Sequence, residues 1–460
     1  MWIFIPDSDD NKEPWSGKIS APKGPKDWWS FDVIRHVGIH DMYCAETFEN
    51  KKTVIGLLDY QRPCTIINPI VRKIDPGSVG TRIPVQRSRI IGEFQALLTE
   101  LTIDNIDDQI FSEISFDSNS FIIWQSSSAY KHDFDYSTNT HHLRIEETQN
   151  QEYNIPSIGD VTCILKANIS PGLYSKTVRS AAIFQLIFSR PVSLKEILNT
   201  CHGLERLFGF LIGFRGKPPK FNVRLNKTYN IDNIKVPQDG ELDISGFNWI
   251  EEDYPYPTQC IHLNGIGGAS IDTILANFFS MREDIMTRIG AVEFSRFFSK
   301  NLNDRFSTVM PILEQYLIKT FSQADEINFL EIEKDFFNWI DRLGSDTFKE
   351  FSRKHLKVIN SKKPSLKTLI LRAISKINAY GFSFTDDIAN RIPKRRGHMF
   401  HSTPHIEKED VLMFYREIKA ATWILMLLTY IDLGIDISCL ISRPHALREI
   451  KEFVSQPAGE

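Results

Sequence analysis

Short runs of β-branched and aromatic residues dominate the first half of the chain, separated by clusters of Asn, Asp, Ser, Gly and Pro. Ser120-Phe-Ile-Ile-Trp, Val161-Thr-Cys-Ile-Leu and Ala182-Ile-Phe-Gln-Leu-Ile-Phe are the clearest, and Thr53-Val-Ile-Gly-Leu-Leu fits the same reading. The texture predicts a mostly antiparallel sheet or sandwich. Ile91 to Leu101 is ambiguous between strand and helix. Near residues 194–214, Leu194, Ile197, Leu198, Leu204, Leu207 and Phe208 recur at near-helical intervals, so one helix is expected to interrupt the strands. The β texture returns in Phe221-Asn-Val-Arg-Leu and Glu241-Leu-Asp-Ile-Ser.

Beyond Gly265-Ile-Gly-Gly-Ala-Ser270 the period changes to that of amphipathic helices. The glycines are followed by no Gly-Lys-Ser/Thr, so they read as a linker, with a helix N-cap at Ser270 or Asp272. Leu366, Leu369, Ile370, Ala373, Ile374 and Ile377 form one apolar stripe, with Pro364 and Ser365 marking the helix start. A longer helix is expected from Glu407 to Leu433, with Gly434 as its C-cap. No repeat of solenoid length is present, and a helical bundle is favoured. The fold class is therefore α+β, with a β-rich unit over 1–265 and an all-α unit over 266–460.

Composition narrows the function. The 460 residues are 42% hydrophobic and 24% charged, which suits a folded chain and excludes a disordered or disulfide-scaffold class. Six cysteines stand far apart without a C-x-x-C pair or a Cys/His cluster, and they read as free thiols of a reducing cytoplasm; no metal and no cofactor is expected. The N-terminus lacks the basic region of a secretory signal. The most apolar stretch, Ala420 to Ile431, is well short of the roughly 20 residues that span a bilayer, so no membrane partner is expected.

A net charge of -4 excludes a globally basic nucleic-acid coat, yet Phe351 to Phe400 carries 12 Lys+Arg against two acids, Asp386 and Asp387. Within that excess lies Arg391-Ile-Pro-Lys-Arg-Arg-Gly-His-Met-Phe-His401. Cleavage of an RNA phosphodiester without a metal needs a proton taken from the 2'-hydroxyl, a proton given to the leaving 5'-oxygen, and a cation on the phosphorane. Histidine titrates in the right range for the transfers. Arginine presents a fixed fork of donors to phosphate oxygens.

Arg396-Gly-His-Met-Phe-His401 resembles the R-x4-6-H signature of HEPN domains, with Phe400 before the histidine and a helix on either side, and its setting resembles that of ApeA-like anti-phage proteins. The resemblance covers about residues 268–460. It implies a bundle that dimerises so that two motifs face each other and cut RNA, leaving a cyclic phosphate and a 5'-hydroxyl. His401 would be the general acid/base, and Arg396 would bind phosphate and stabilise the transition state. The setting it implies is abortive anti-phage defence, with RNA, tRNA among its forms, as substrate and a phage-derived trigger. Gly397 departs from the polar residue, usually asparagine, of many members. Pro393 is expected to prevent an uninterrupted helix through the motif unless it opens a new one.

Five positions turn an ideal helix by about 140 degrees, so Arg396 and His401 do not share a face; a break near Gly397, a long reach by the arginine, or a second copy completes the pair. Pairing two motifs also supplies the second histidine that two proton transfers require. His398, on the face of Arg395, is the second choice, and both are possible supporting residues. Lys362, Lys363, Lys367, Arg391 and Lys394 are the candidate RNA-backbone contacts, although the three lysines also read as plain surface charge. His141-His142 lies in polar, loop-like sequence and reads as no metal site. Trp28 and Trp29 read as core aromatics before a binding platform, and Asp386 and Asp387 as complements to a short helix start after Thr385. Two alternatives stay open: a HEPN-like protein that binds RNA or a partner without cutting, and a ligand-binding β unit whose helices only dimerise.

Overall fold

The computed structural model describes residues 1–6, 13–24, 27–36, 48, 50–79, 85–117, 130–135, 137–138, 140–145, 149–156, 158–171, 176–213, 219–231, 234–245, 270–322, 338–342, 345–350, 364–401, 408–441 and 450. The chain divides into two compact units, Met1–Asn264 and Gly265–Glu460.

In the first unit, β1 (Trp2–Ile5), β2 (Trp15–Ser20), β3 (Trp29–His36), β4 (Thr53–Leu58), β5 (Arg62–Val79) and β6 (Val85–Thr99) are all antiparallel. Because β1 pairs with both β2 and β4, and β6 with both β3 and β5, the six strands close into a barrel. Closure removes the free edges that an open sheet would present. Alternate residues point inward: Ile3, Ile5, Trp15, Ile19, Trp29, Phe31, Val33, Ile90 and Phe94 form one buried cluster. Gly17 is required where β2 pairs with β3, since a Cβ there would lie 2.1 Å from the Asp32 carbonyl oxygen.

The sheet then continues outside the barrel. The end of β6 pairs with β14 (Ile234–Ile244), and β13 (Phe221–Ile231), β7 (Gln109–Asp117), β12 (Lys176–Ser193), β11 (Gly159–Pro171) and β10 (Gln149–Ile155) extend it. A separate hairpin joins β8 (Tyr130–Asp135) to β9 (Thr140–Ile145). The expected interrupting helix is α1 (Leu194–Ile212), which starts in a reciprocal capping box between Ser193 and Glu196. It ends at Gly213, whose φ of 71° closes the C-cap. Its apolar stripe covers β7 and β12, where Phe208 meets Phe184 at 5.5 Å and Phe116 at 6.3 Å between ring centroids. The first unit is thus mostly antiparallel sheet, as its texture predicts, with six strands closed into a barrel and the rest extending from it. Ser120 to Trp124 lies outside the described residues.

The second unit is helical. Its elements are α2 (Ile271–Ser280), α3 (Arg282–Glu293), a π-turn (Phe294–Phe298), α4 (Leu302–Phe321), α5 (Leu366–Asn378), α6 (Asp386–His401), α7 (Lys408–Asp432) and a 3-10 turn (Ile437–Leu440). Ser270 is the N-cap residue of α2, Ser365 caps α5 by accepting from the Thr368 amide at 3.2 Å, and Gly434 follows α7 with φ 84°. Helices α3, α4, α5 and α6 each pack against α7. Arg288 on α3 donates to Asp432 on α7 at 2.6 Å, Tyr316 on α4 donates to the same carboxylate at 3.1 Å, and the Arg288 guanidinium lies 4.5 Å from the Tyr316 ring centroid. Burial, with the Asp432 charge beside it, pushes the Tyr316 hydroxyl well above the ordinary tyrosine range. This buried triad joins α3, α4 and α7. No described helix is long and apolar enough to cross a membrane.

Candidate active site

The motif lies on α6, and the helix runs unbroken from Asp386 to His401. Pro393 is therefore interior, and neither it nor Gly397 interrupts the helix as the sequence suggested. Proline removes one amide donor and crowds the preceding turn, a cost that tertiary contacts on both sides of α6 offset. Ile388, Ala389 and Ile392 are buried on one face. The next face is tied down by ion pairs. Asp387 holds Arg391 at 2.8 Å one turn along, and Arg395 donates through Nε to Oε2 of Glu417 on α7 at 2.8 Å. Phe414 of α7 lies under the Arg395 guanidinium at 5.1 Å.

Arg396 turns the other way. Its Nε is 2.8 Å from Oε2 of Glu314 on α4. Successive residues on a helix point about 100 degrees apart, so adjacent arginines reach two different helices. The two pairs differ in environment: the side chains of Arg395 and Glu417 are 14% and 6% exposed, those of Arg396 and Glu314 41% and 25%. Arg395 is thus a packing element of the bundle, while Arg396 keeps access to solvent. Glu314 and Glu417 were invisible to the sequence reading, and they temper the positive charge of the 351–400 window.

His398 and His401 lie on the same helix by backbone, with Arg396 and His401 about 140 degrees apart around its axis. The long helix removes the first way of bringing them together, a break near Gly397. Around Gly397 a Cβ would meet no atom within 4 Å. Lys367 and Lys394 are exposed, on α5 and α6, while Lys362 and Lys363 lie outside the described residues. Asp386 and Asp387 occupy the first turn of α6, a helix of 16 residues and not a short one.

Other sequence candidates fall elsewhere. His141 and His142 sit on β9, in a strand and not in a loop, opposite Phe134 and Asp133. Trp29 is in the barrel core, 5.7 Å from the Phe94 ring and nearly parallel to it, whereas Trp28 is exposed. Cys64, Cys163, Cys201 and Cys439 are in no disulfide, and burial pushes the thiols of Cys64 and Cys163 up to about 12. Among the described residues, no group of three or more His, Cys, Asp or Glu side chains is placed to hold a metal ion.

Residues 20–244 match the family model described as ApeA N-terminal domain 1. The match begins at the last residue of β2, so that β1 and most of β2 lie outside it, takes in the other barrel strands and the sheet extension, and stops before the helical unit. No curated protein and no solved structure matches the chain.

Proposed function

From an N-terminal half that makes this an ApeA-like anti-phage protein, we propose that the helical unit is a metal-independent RNA endonuclease acting in abortive defence, with tRNA or other cellular RNA as its substrate. The observation that carries the reading is a solvent-accessible Arg396 on the same continuous helix as His401, with the Arg-x4-His spacing intact. In this reading Arg396 leaves Glu314 for a phosphate oxygen of the substrate, because a dianionic phosphorane is a stronger partner than one carboxylate. His401 takes the 2'-hydroxyl proton, and the 2'-oxygen attacks phosphorus. The 5'-oxygen departs with a proton from the second histidine of a homodimer, leaving a 2',3'-cyclic phosphate. Arg395 acts through position, holding α6 to α7. Lys367 and Lys394 steer the RNA backbone.

The barrel supports a sensing role for the first unit. Its outer surface has a groove of about 470 Å³ lined by the cations Lys18, Arg87 and Arg89, the last paired with Asp32, by Glu13, and by Trp2 and Phe4, which are 59% and 42% exposed. Apolar rings left in water beside charges of both signs suit the capture of a trigger protein. One further reading is favoured by the two glutamate partners: a bundle that binds RNA or a partner without cutting, its arginines serving only to pack.

The test is growth and RNA integrity in bacteria producing wild type or His401→Ala, with and without phage. RNA cleavage and protection that disappear in a folded His401→Ala protein support the nuclease. Equal protection from both, with intact RNA, assigns the bundle to binding alone.

A further inference from the structure

The groove on the outer face of the barrel is built by strand register. Ile3, Ile5, Trp15, Ile19, Phe31 and Val33 point into the core. The alternate residues therefore point outward: Trp2 and Phe4 of β1, Ser16 and Lys18 of β2, Asp32 and Ile34 of β3. Pairing sets Leu57, Phe4, Ser16 and Ile34 side by side on β4, β1, β2 and β3. Leu57, Phe4 and Ile34 are large, apolar and exposed, while Ser16 is small. Neighbouring strands lie about 4.8 Å apart, so Phe4 and Ile34 stand about 10 Å apart as walls with Ser16 as the floor. Trp2 lengthens the Phe4 wall, its amide donating to Oδ1 of Asp59 at 3.1 Å.

The charges around this floor do not cancel. Arg89 is bound to Asp32 at 2.6 Å, and Arg35 is buried with its guanidinium 4.5 Å from the Trp15 ring centroid. That leaves Lys18 and Arg87, both exposed, against the exposed Glu13. The excess is positive, so a complementary surface carries acid beside its apolar side chains.

The backbone of the occupant is constrained as well. β1 pairs with β2 and β4, and β2 with β1 and β3, so neither offers a free edge to an added strand. An extended peptide laid over these side chains would lose water from its amides and gain no partner for them, whereas a helix satisfies its own. We propose that the groove docks an amphipathic, acidic helix of a partner protein. One large apolar side chain of that helix sits over Ser16 between Phe4 and Ile34, and a carboxylate faces Lys18 and Arg87. The inference rests on the sensing role proposed for the first unit and names the chemistry of its trigger. Trp2, Phe4, Glu13, Ser16 and Lys18 precede residue 20, where the family match begins, so most of the groove lies in sequence outside that match.

The probe is a displayed library of helical peptides, randomised along one face and selected on the full-length protein. Enriched peptides are expected to carry a large apolar residue beside Asp or Glu and to bind at about 1–100 μM. Phe4→Ala and Lys18→Glu should each weaken them by about tenfold, and Ser16→Trp, which fills the floor, should abolish binding. Thermal melts check that these three variants of outward-facing residues fold. No enrichment, enriched peptides that lack acid, or affinity unchanged in all three variants overturns the proposal. So does a single-stranded RNA of about ten nucleotides that outcompetes every selected peptide and is itself lost in Ser16→Trp. Phage challenge separates the docking site from the role beneath it. A Ser16→Trp protein that loses both peptide binding and protection supports both, and one that loses peptide binding yet still protects overturns the sensing role alone.

Discussion

Arg396 and Glu314 form an ion pair of 2.8 Å between α6 and α4. The arginine that the motif assigns to phosphate is therefore held by a carboxylate, and in the proposed reading the substrate has to displace that carboxylate. Such a half-exposed pair contributes only about 0.2–1 kcal/mol to stability, so it is exchangeable. Glu314→Gln should leave the melting temperature nearly unchanged and tighten RNA binding, as measured by fluorescence anisotropy at fixed salt. Weaker RNA binding by this variant would mean that Glu314 supports the site and does not compete with the substrate.

The Arg395–Glu417 pair behaves differently because it is nearly dry. Removing one member strands a buried charge, which costs about 3–5 kcal/mol. Glu417→Ala and Arg395→Ala should each lower the stability of the helical unit by that order in denaturant unfolding. The double variant should lose far less than the sum of the two. Additive losses would show that the side chains do not share the contact.

Gly397 sits inside a helix with open space where a Cβ would go. Gly397→Ala should stabilise the protein by about 0.5–1 kcal/mol, the ordinary helix-propensity gain. Gly159→Ala is the opposite case: at φ 150° its Cβ would lie 1.9 Å from the Ile187 carbonyl oxygen, so destabilisation is expected. A destabilised Gly397→Ala protein would contradict an open helix surface at that position.

Burial raises the Cys64 and Cys163 thiols from 9.0 to about 12. A folded-state value above the unfolded one gives stability that is full below about pH 9 and lost as pH rises toward 12. Iodoacetamide at pH 8 should leave both unmodified in the native protein and label both after denaturation, read by peptide mass spectrometry. Labelling of either thiol in the native state at the rate of an exposed thiol would contradict its burial in the sheet.

Much of the local structure was legible because local patterns wrote it. The Leu366 stripe, Ser365 and Gly434 marked α5 and the end of α7 through periodicity and capping alone. Residues 91–101 were ambiguous for a physical reason. After pairing with β3 through Phe94, β6 turns to pair with β14, and Ala96, Leu97 and Leu98 are all buried, which erases the alternation of a strand. Barrel closure left no local mark, since it depends on β1 meeting β4 and β5 meeting β6. In the site, Arg396 and His401 stood out by spacing, whereas Glu314 and Glu417 are single carboxylates on other helices that only the fold brings near. Pro393 misled, because its intrinsic penalty is smaller than the packing that holds α6 together.

The central claim is that Arg396 and His401 cut RNA by transesterification. The most direct measurement incubates purified wild type, Arg396→Ala and His401→Ala with total bacterial RNA in excess chelator, with trigger supplied as extract from phage-infected cells, and maps the new ends. The account predicts discrete cuts by wild type alone, with 2',3'-cyclic phosphates and 5'-hydroxyls on either side. Cleavage that persists in both variants, or ends carrying a 5'-phosphate, would contradict it.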